Sequence, residues 1–179
     1  MSPADLDNLV IDGIRQSCIE VFSTMLGVEL PEALTSKESG TPDIADGVVS
    51  LIGLAGGWMG TGSISCSPGL ACRISALLLM AEFPAVNEEV LDAVAELTNM
   101  IIGGVKNLLE PALGPLGLSI PTVVFGKNFR TRSAGTTEWT VLRFAWEGES
   151  LMVRLFLAPS EKVVHPHPHA MAQRYAVEV

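Results

Sequence analysis

An α+β domain is what this sequence predicts: a long helix, a β-hairpin, two further helices and then three strands. Three observations carry that expectation. Apolar residues recur at helical spacing in three segments, most clearly over residues 87–110. Short β-type runs bounded by glycines follow the first helical segment and again the third. The chain has 179 residues, 48% of them apolar, with mean hydropathy +0.39. That suits a single domain with a substantial core and excludes a disordered chain. A helix followed by paired strands occurs in both halves, a weak internal αββ repeat.

Residues 5–26 read as the first helix, with Leu6, Leu9, Val10, Ile14, Cys18, Val21, Phe22 and Met25 near 3.6-residue spacing and Gly27 as the residue that stops it. Residues 31–46 are polar and turn-rich and predict a surface loop ending in at most a short strand. Residues 47–55 and 59–66, separated by Gly56, Gly57 and Trp58, predict a hairpin. The glycines between Gly53 and Gly62 match no phosphate-binding loop pattern and are read as turn and strand-packing glycines.

Ser67 and Pro68 make a strong helix start, a cap followed by a proline at the first helical position. The second helix should run to about Glu82, burying Leu70, Ile74, Leu77, Leu78 and Ala81, before Pro84 breaks it. Residues 118–126, 138–147 and 151–158 predict strands, with Gly148 and Glu149 as a tight turn between the last two. Residues 127–137, which carry Arg130 and Arg132, are read as a loop.

The helix over residues 87–110 organises the rest. Asn87 can cap it, Glu88 and Glu89 sit at the positive end of its dipole, and Pro111 should close its far end. Val90, Val94, Leu97, Ile101, Val105 and Leu108 fall on one stripe, flanked by Leu91, Thr98, Ile102 and Leu109. Asp92, Glu96, Asn99, Gly103, Lys106 and Glu110 fall opposite. An asparagine within a helix competes for backbone hydrogen bonds, and Gly103 and Gly104 each cost about 1 kcal/mol relative to alanine. Poor helix formers on an outward face point to a close approach there.

The stretch ELTNMIIGGVK (96–106) resembles the signature helix of the CheX chemotaxis phosphatases, within the wider CheC/CheX/FliY group. SIPTVVFG (119–126) is similar to the family's strand after that helix, and VFSTMLGVEL (21–30) to the end of its first helix. The resemblance reaches from the start to about Ala158. It implies the CheC-like fold, with long helices packed on an antiparallel sheet in one domain over residues 1–158. It also implies the function: hydrolysis of the aspartyl phosphate of a CheY-like response regulator. Glu96 and Asn99 would then be the catalytic pair, with Asn99 positioning the attacking water and Glu96 docking on the regulator's active-site lysine. Met100, Gly103 and Lys106 are the candidate partner contacts. No cofactor is expected on this chain, and Mg²⁺ is expected on the regulator. Homodimers are common in the family, so a homodimer is expected. The alternative is a non-catalytic adaptor that binds a regulator or a flagellar-switch protein through the same face. Glu20 and Ser23 repeat the spacing in the first helix with serine in place of asparagine, so one site is expected rather than two.

The formal charge of −9 and pI near 4.7 argue against nucleic acid or an anionic membrane as the main partner. No apolar run reaches the roughly 18–20 residues of a membrane span, and the acidic first residues do not resemble a signal peptide, so a cytoplasmic protein is expected. Cys18, Cys66 and Cys72 form no C-x-x-C pair and are read as small buried residues. Residues 159–179 read as a polar tail. His165, His167 and His169 alternate with prolines there and are weak candidates for zinc or nickel, with an exposed tail the better account.

Overall fold

The computed structural model describes residues 2–39, 45–129 and 138–160. Arg130, Arg132 and the three histidines lie outside them. Helix α1 (Pro3–Val21) opens with a capping box: the Ser2 hydroxyl accepts from Asp5 N–H, while the Asp5 carboxylate accepts from Ser2 N–H. It widens into a π turn at Phe22–Leu26 and ends on Gly27 in the left-handed conformation, where the sequence placed the stop. Helix α2 spans Pro68–Leu79 and α3 spans Glu88–Leu113.

Around them runs one antiparallel sheet of β1 (Leu34–Ser39), β2 (Ala45–Gly56), β3 (Trp58–Cys66), β4 (Leu116–Leu118), β5 (Thr122–Phe129), β6 (Glu138–Trp146) and β7 (Glu149–Pro159). The order is β1-β6-β7-β3-β2-β4, with β5 also paired to β2. The hairpins β2–β3 and β6–β7 meet along β3 and β7, so an αββ unit is visible in each half. Leu151, Val153 and Leu155 of β7 are buried while Met152, Arg154 and Phe156 between them are half-buried, the alternation of a sheet with one face in the core.

On that core face, α1 and α3 run antiparallel in close contact. Gly13 lies against Val105 and Leu108, and the Ser17 hydroxyl donates to the Ile101 carbonyl at 2.7 Å. A side chain on Gly104 would sit 2.2 Å from Ser17 Oγ, so the absence of a Cβ is what lets the helices approach. Gly62 of β3 does the same for Ile102, whose atoms would be 2.9 Å from an added Cβ.

Several expected elements shift. Residues 34–39 are a strand, not loop. LTSKES carries no apolar alternation, because β1 is held by polar pairs: Arg143 donates to Ser36 Oγ and pairs with Glu38, and Lys37 donates to Thr140 Oγ1 at 2.9 Å. Helix α2 ends at Leu79, with Met80 left-handed (φ 51°). Its buried face is Leu70, Ala71, Ile74 and Ser75, while Leu77 and Ala81, expected inside, are exposed. Helix α3 passes through Pro111 to Leu113. The proline falls in the last turn, where only one hydrogen bond is lost, and the Gly114 N–H still bonds the Glu110 carbonyl.

The strand expected over 118–126 is two pieces, β4 and β5, laid end to end along β2. They are separated by Ser119, whose N–H donates to the Gly53 carbonyl and whose hydroxyl accepts from Gly53 N–H. β5 also continues through residues 127–129, expected in a loop. The last turn is Glu147–Gly148, both at positive φ, one residue earlier than expected. Cys18 and Cys66 are buried and Cys72 is only half-buried. Burial pushes the Cys66 thiol up to about 12 and the Cys18 thiol up as well, so both are poor nucleophiles at neutral pH.

Candidate active site

The face opposite the core on α3 is where polar side chains collect. Asn87 caps the helix, its side-chain oxygen accepting from Val90 N–H at 3.0 Å, and Glu88 and Glu89 occupy the first turn. Behind the face, Val90, Ala93, Val94, Leu97, Thr98, Ile101, Ile102, Val105 and Leu109 are buried. Thr98, between the two outward residues of interest, turns inward and bonds the Val94 carbonyl at 2.7 Å. The helix is therefore fixed by its packing, which suits a site that must hold its geometry.

Asp92, Glu96 and Asn99 are exposed, as the periodicity predicts. Glu96 and Asn99 make no hydrogen bond or ion pair among the described residues. Three residues apart on one helix, they project from neighbouring positions of the same face. Such a pair offers a full negative charge beside a neutral group that is both donor and acceptor.

The other candidates are less free. Met100 is half-buried and packs against the core. Gly103 is half-buried with Leu118 of β4 beside it, a neighbour that the strand assignment alone did not reveal. Lys106 is committed within the chain: its ammonium is 2.9 Å from a Glu110 carboxylate oxygen and also donates to Asn107 Oδ1 at 3.3 Å. Glu110 Oε1 accepts from Leu116 N–H at 2.9 Å. That N–H, and then Lys106, hold the Glu110 carboxyl below its usual range. Lys106 and Glu110 thus tie the end of α3 to the start of β4.

On α1, Glu20 is exposed, but the Ser23 hydroxyl donates to the Glu20 carbonyl at 3.2 Å. It is spent on its own helix backbone, and a hydroxyl lacks the reach of an amide. Among the described residues no group of three or more His, Cys, Asp and Glu is placed to hold a metal ion. No helix there is long and apolar enough to cross a membrane.

The family model described as chemotaxis phosphatase CheX matches residues 48–145, from β2 into β6 and with all of α3 inside it. This chain belongs to the CheX family. A CheY-P phosphatase CheX from Thermotoga maritima is 29% identical to it over 131 residues, 73% of this chain and 84% of that protein. Among solved structures, a CheC-like superfamily protein from Shewanella sp. PV-4 superposes with a TM-score of 0.74 at 28% identity, over 84% of this chain and 97% of that one. A chemotaxis protein CheX from Vibrio vulnificus gives 0.70 at 29% identity, over 83% and 99%. The CheX fold expected from ELTNMIIGGVK and its flanking motifs is the fold observed.

Proposed function

We propose that this CheX-family protein hydrolyses the aspartyl phosphate of a CheY-like response regulator, with Asn99 and Glu96 entering the regulator's phosphorylated pocket from the face of α3. The observation that carries the reading is the exposed carboxylate–amide pair, free of partners within the described chain, on the central helix of a phosphatase-family fold. The named relative from Thermotoga maritima is a CheY-P phosphatase.

The chemistry needs little from this chain. The regulator supplies the Mg²⁺ and the lysine that face the phosphoryl oxygens, and its attacking water is unpositioned. Asn99 orients that water in line with the scissile P–O bond by donating to it or accepting from it. Proton removal is unnecessary in a loose phosphoryl-transfer transition state, so a neutral amide suffices and adds no charge to repel the phosphate. Glu96 pairs with the regulator's lysine and sets the depth at which α3 seats. Met100 and Lys106 flank the contact, Lys106 with its charge already opposed by Glu110. The domain ends near residue 158 and works in the cytoplasm.

A non-catalytic adaptor would use the same surface but has no need of an amide at position 99. The test is phosphate release from a panel of the host's phosphorylated receiver domains at fixed Mg²⁺. At least one should lose phosphate faster with this protein than alone; no acceleration on any of them would overturn the reading.

The protein also forms a homodimer joined along the free edge of β5. Support comes from the outer edge of the sheet, where β5 pairs only with β2 among the described residues, and from Ile120 and Phe125, which are exposed there at 86% and 49%. An unprotected edge with exposed apolar residues favours strand pairing with a second copy. Light scattering should give twice the chain mass, reduced to one by Val123→Pro, which removes a β5 backbone N–H that faces away from β2. A monomeric wild type would refute the dimer.

A further inference from the structure

Glycines in α3 divide into two kinds. Gly104 is required from within, because a Cβ there would meet Ser17 Oγ at 2.2 Å. Gly103 is not. An added Cβ would have only Leu118 Cδ1 nearby, at 3.8 Å, an ordinary contact. Nor does its backbone take the positive φ that favours glycine. Glycine is nevertheless the poorest helix former after proline. Nothing described within the chain accounts for it, so the demand for a bare backbone comes from outside.

Position supports that. Gly103 lies one turn beyond Asn99 on the same outward face. Asparagine carries its amide on the shortest side chain that bears one, so the α3 backbone itself must come close to any water that the amide orients. Leu118 forms one wall of the gap over Gly103, and the segment after it is pinned by the paired bonds between Ser119 and Gly53, both 2.9 Å. The gap is a fixed shape rather than a compliant one.

We propose that Gly103 is a clearance position: the phosphorylated receiver domain rides directly over the α3 backbone at this residue, and the missing side chain sets how deeply Asn99 reaches. Gly103 acts through Asn99 and is a positioning residue. This rests on the proposed regulator-phosphatase activity and adds the steric term that the carboxylate and the amide do not supply.

The experiment compares wild type, Gly103→Ala, Gly103→Leu and Gly104→Ala on a receiver domain that the wild type dephosphorylates, reading thermal midpoint, KM and kcat. Gly103→Ala should melt at or above the wild-type temperature, yet raise KM on the order of tenfold and lower kcat/KM by up to about a hundredfold, since a misplacement near 1 Å can have that effect. Gly103→Leu should be worse. Gly104→Ala is the structural control and should melt lower. Wild-type kcat/KM in Gly103→Ala would overturn the clearance role while leaving the phosphatase reading intact. A lowered melting temperature in Gly103→Ala would also overturn it, by showing that the glycine serves internal packing. A wild type that accelerates no regulator would sink the functional reading itself, and the clearance role with it.

Discussion

Asn99→Ala is expected to abolish most of the acceleration of regulator dephosphorylation while leaving the fold and the affinity for the regulator nearly unchanged. Asn99 is exposed and bonds to nothing among the described residues, so its removal opens no cavity and strands no buried group. Alanine is also the better helix former, by at most about 0.7 kcal/mol. Under the proposed mechanism the loss is confined to the transition state, where the amide places the water. If the wild type accelerates hydrolysis about a hundredfold, the variant gives up about 2.7 kcal/mol of transition-state stabilisation. The split between parameters carries the argument: kcat should collapse with KM unmoved, the pattern of an interaction made only in the transition state. Asn99→Asp keeps the shape but sets a negative charge beside the phosphate, and should be no more active than alanine. Phosphate loss at the wild-type rate with Asn99→Ala would remove the amide from the mechanism.

The candidate site was legible because it sits on one helix. A 3.6-residue period fixes which side chains share a face; Glu96 and Asn99 project outward for the same reason that Val94, Leu97 and Ile101 are buried. The same logic failed where order comes from partners distant in sequence. Strand β1 is written in polar residues whose pairing with Arg143 and Thr140 cannot be read locally. Helix α2 is shorter than its apolar pattern implies because Leu77, Leu79 and Met80 continue that pattern while staying exposed, and apolar residues on a surface are common. Pro111 stops a helix only when helix remains to be broken, and here it falls in the final turn. Gly103 and Gly104 look identical in the sequence. Only the approach of Ser17 separates the one demanded by packing from the one that is not.

Glu96→Ala should fail differently from Asn99→Ala, raising the regulator concentration needed for half-maximal rate as well as lowering turnover. Glu96 is exposed and makes no ion pair among the described residues, so alanine there should leave the folded chain unharmed. In the proposed complex its carboxylate faces the regulator's lysine. Truncating one partner of a buried, hydrogen-bonded charge pair costs roughly 2–5 kcal/mol, much of it because the other charge is left unpaired. At 1.36 kcal/mol per factor of ten, that range corresponds to a fall in kcat/KM of about thirty- to several-thousand-fold. Part of the loss falls on kcat, because a helix seated at the wrong depth carries Asn99 away from the line of attack. Glu96→Gln separates charge from shape: a neutral amide retains the size and a hydrogen bond but not the ion pair, so it should recover turnover before it recovers affinity. Salt gives an independent reading, since screening weakens charge-steered association and the KM of the wild type should rise with ionic strength more steeply than that of either variant. If KM and its salt dependence were the same in all three proteins, the docking role would belong to another residue of the α3 face, and the carboxylate would have to act, if at all, in the chemical step.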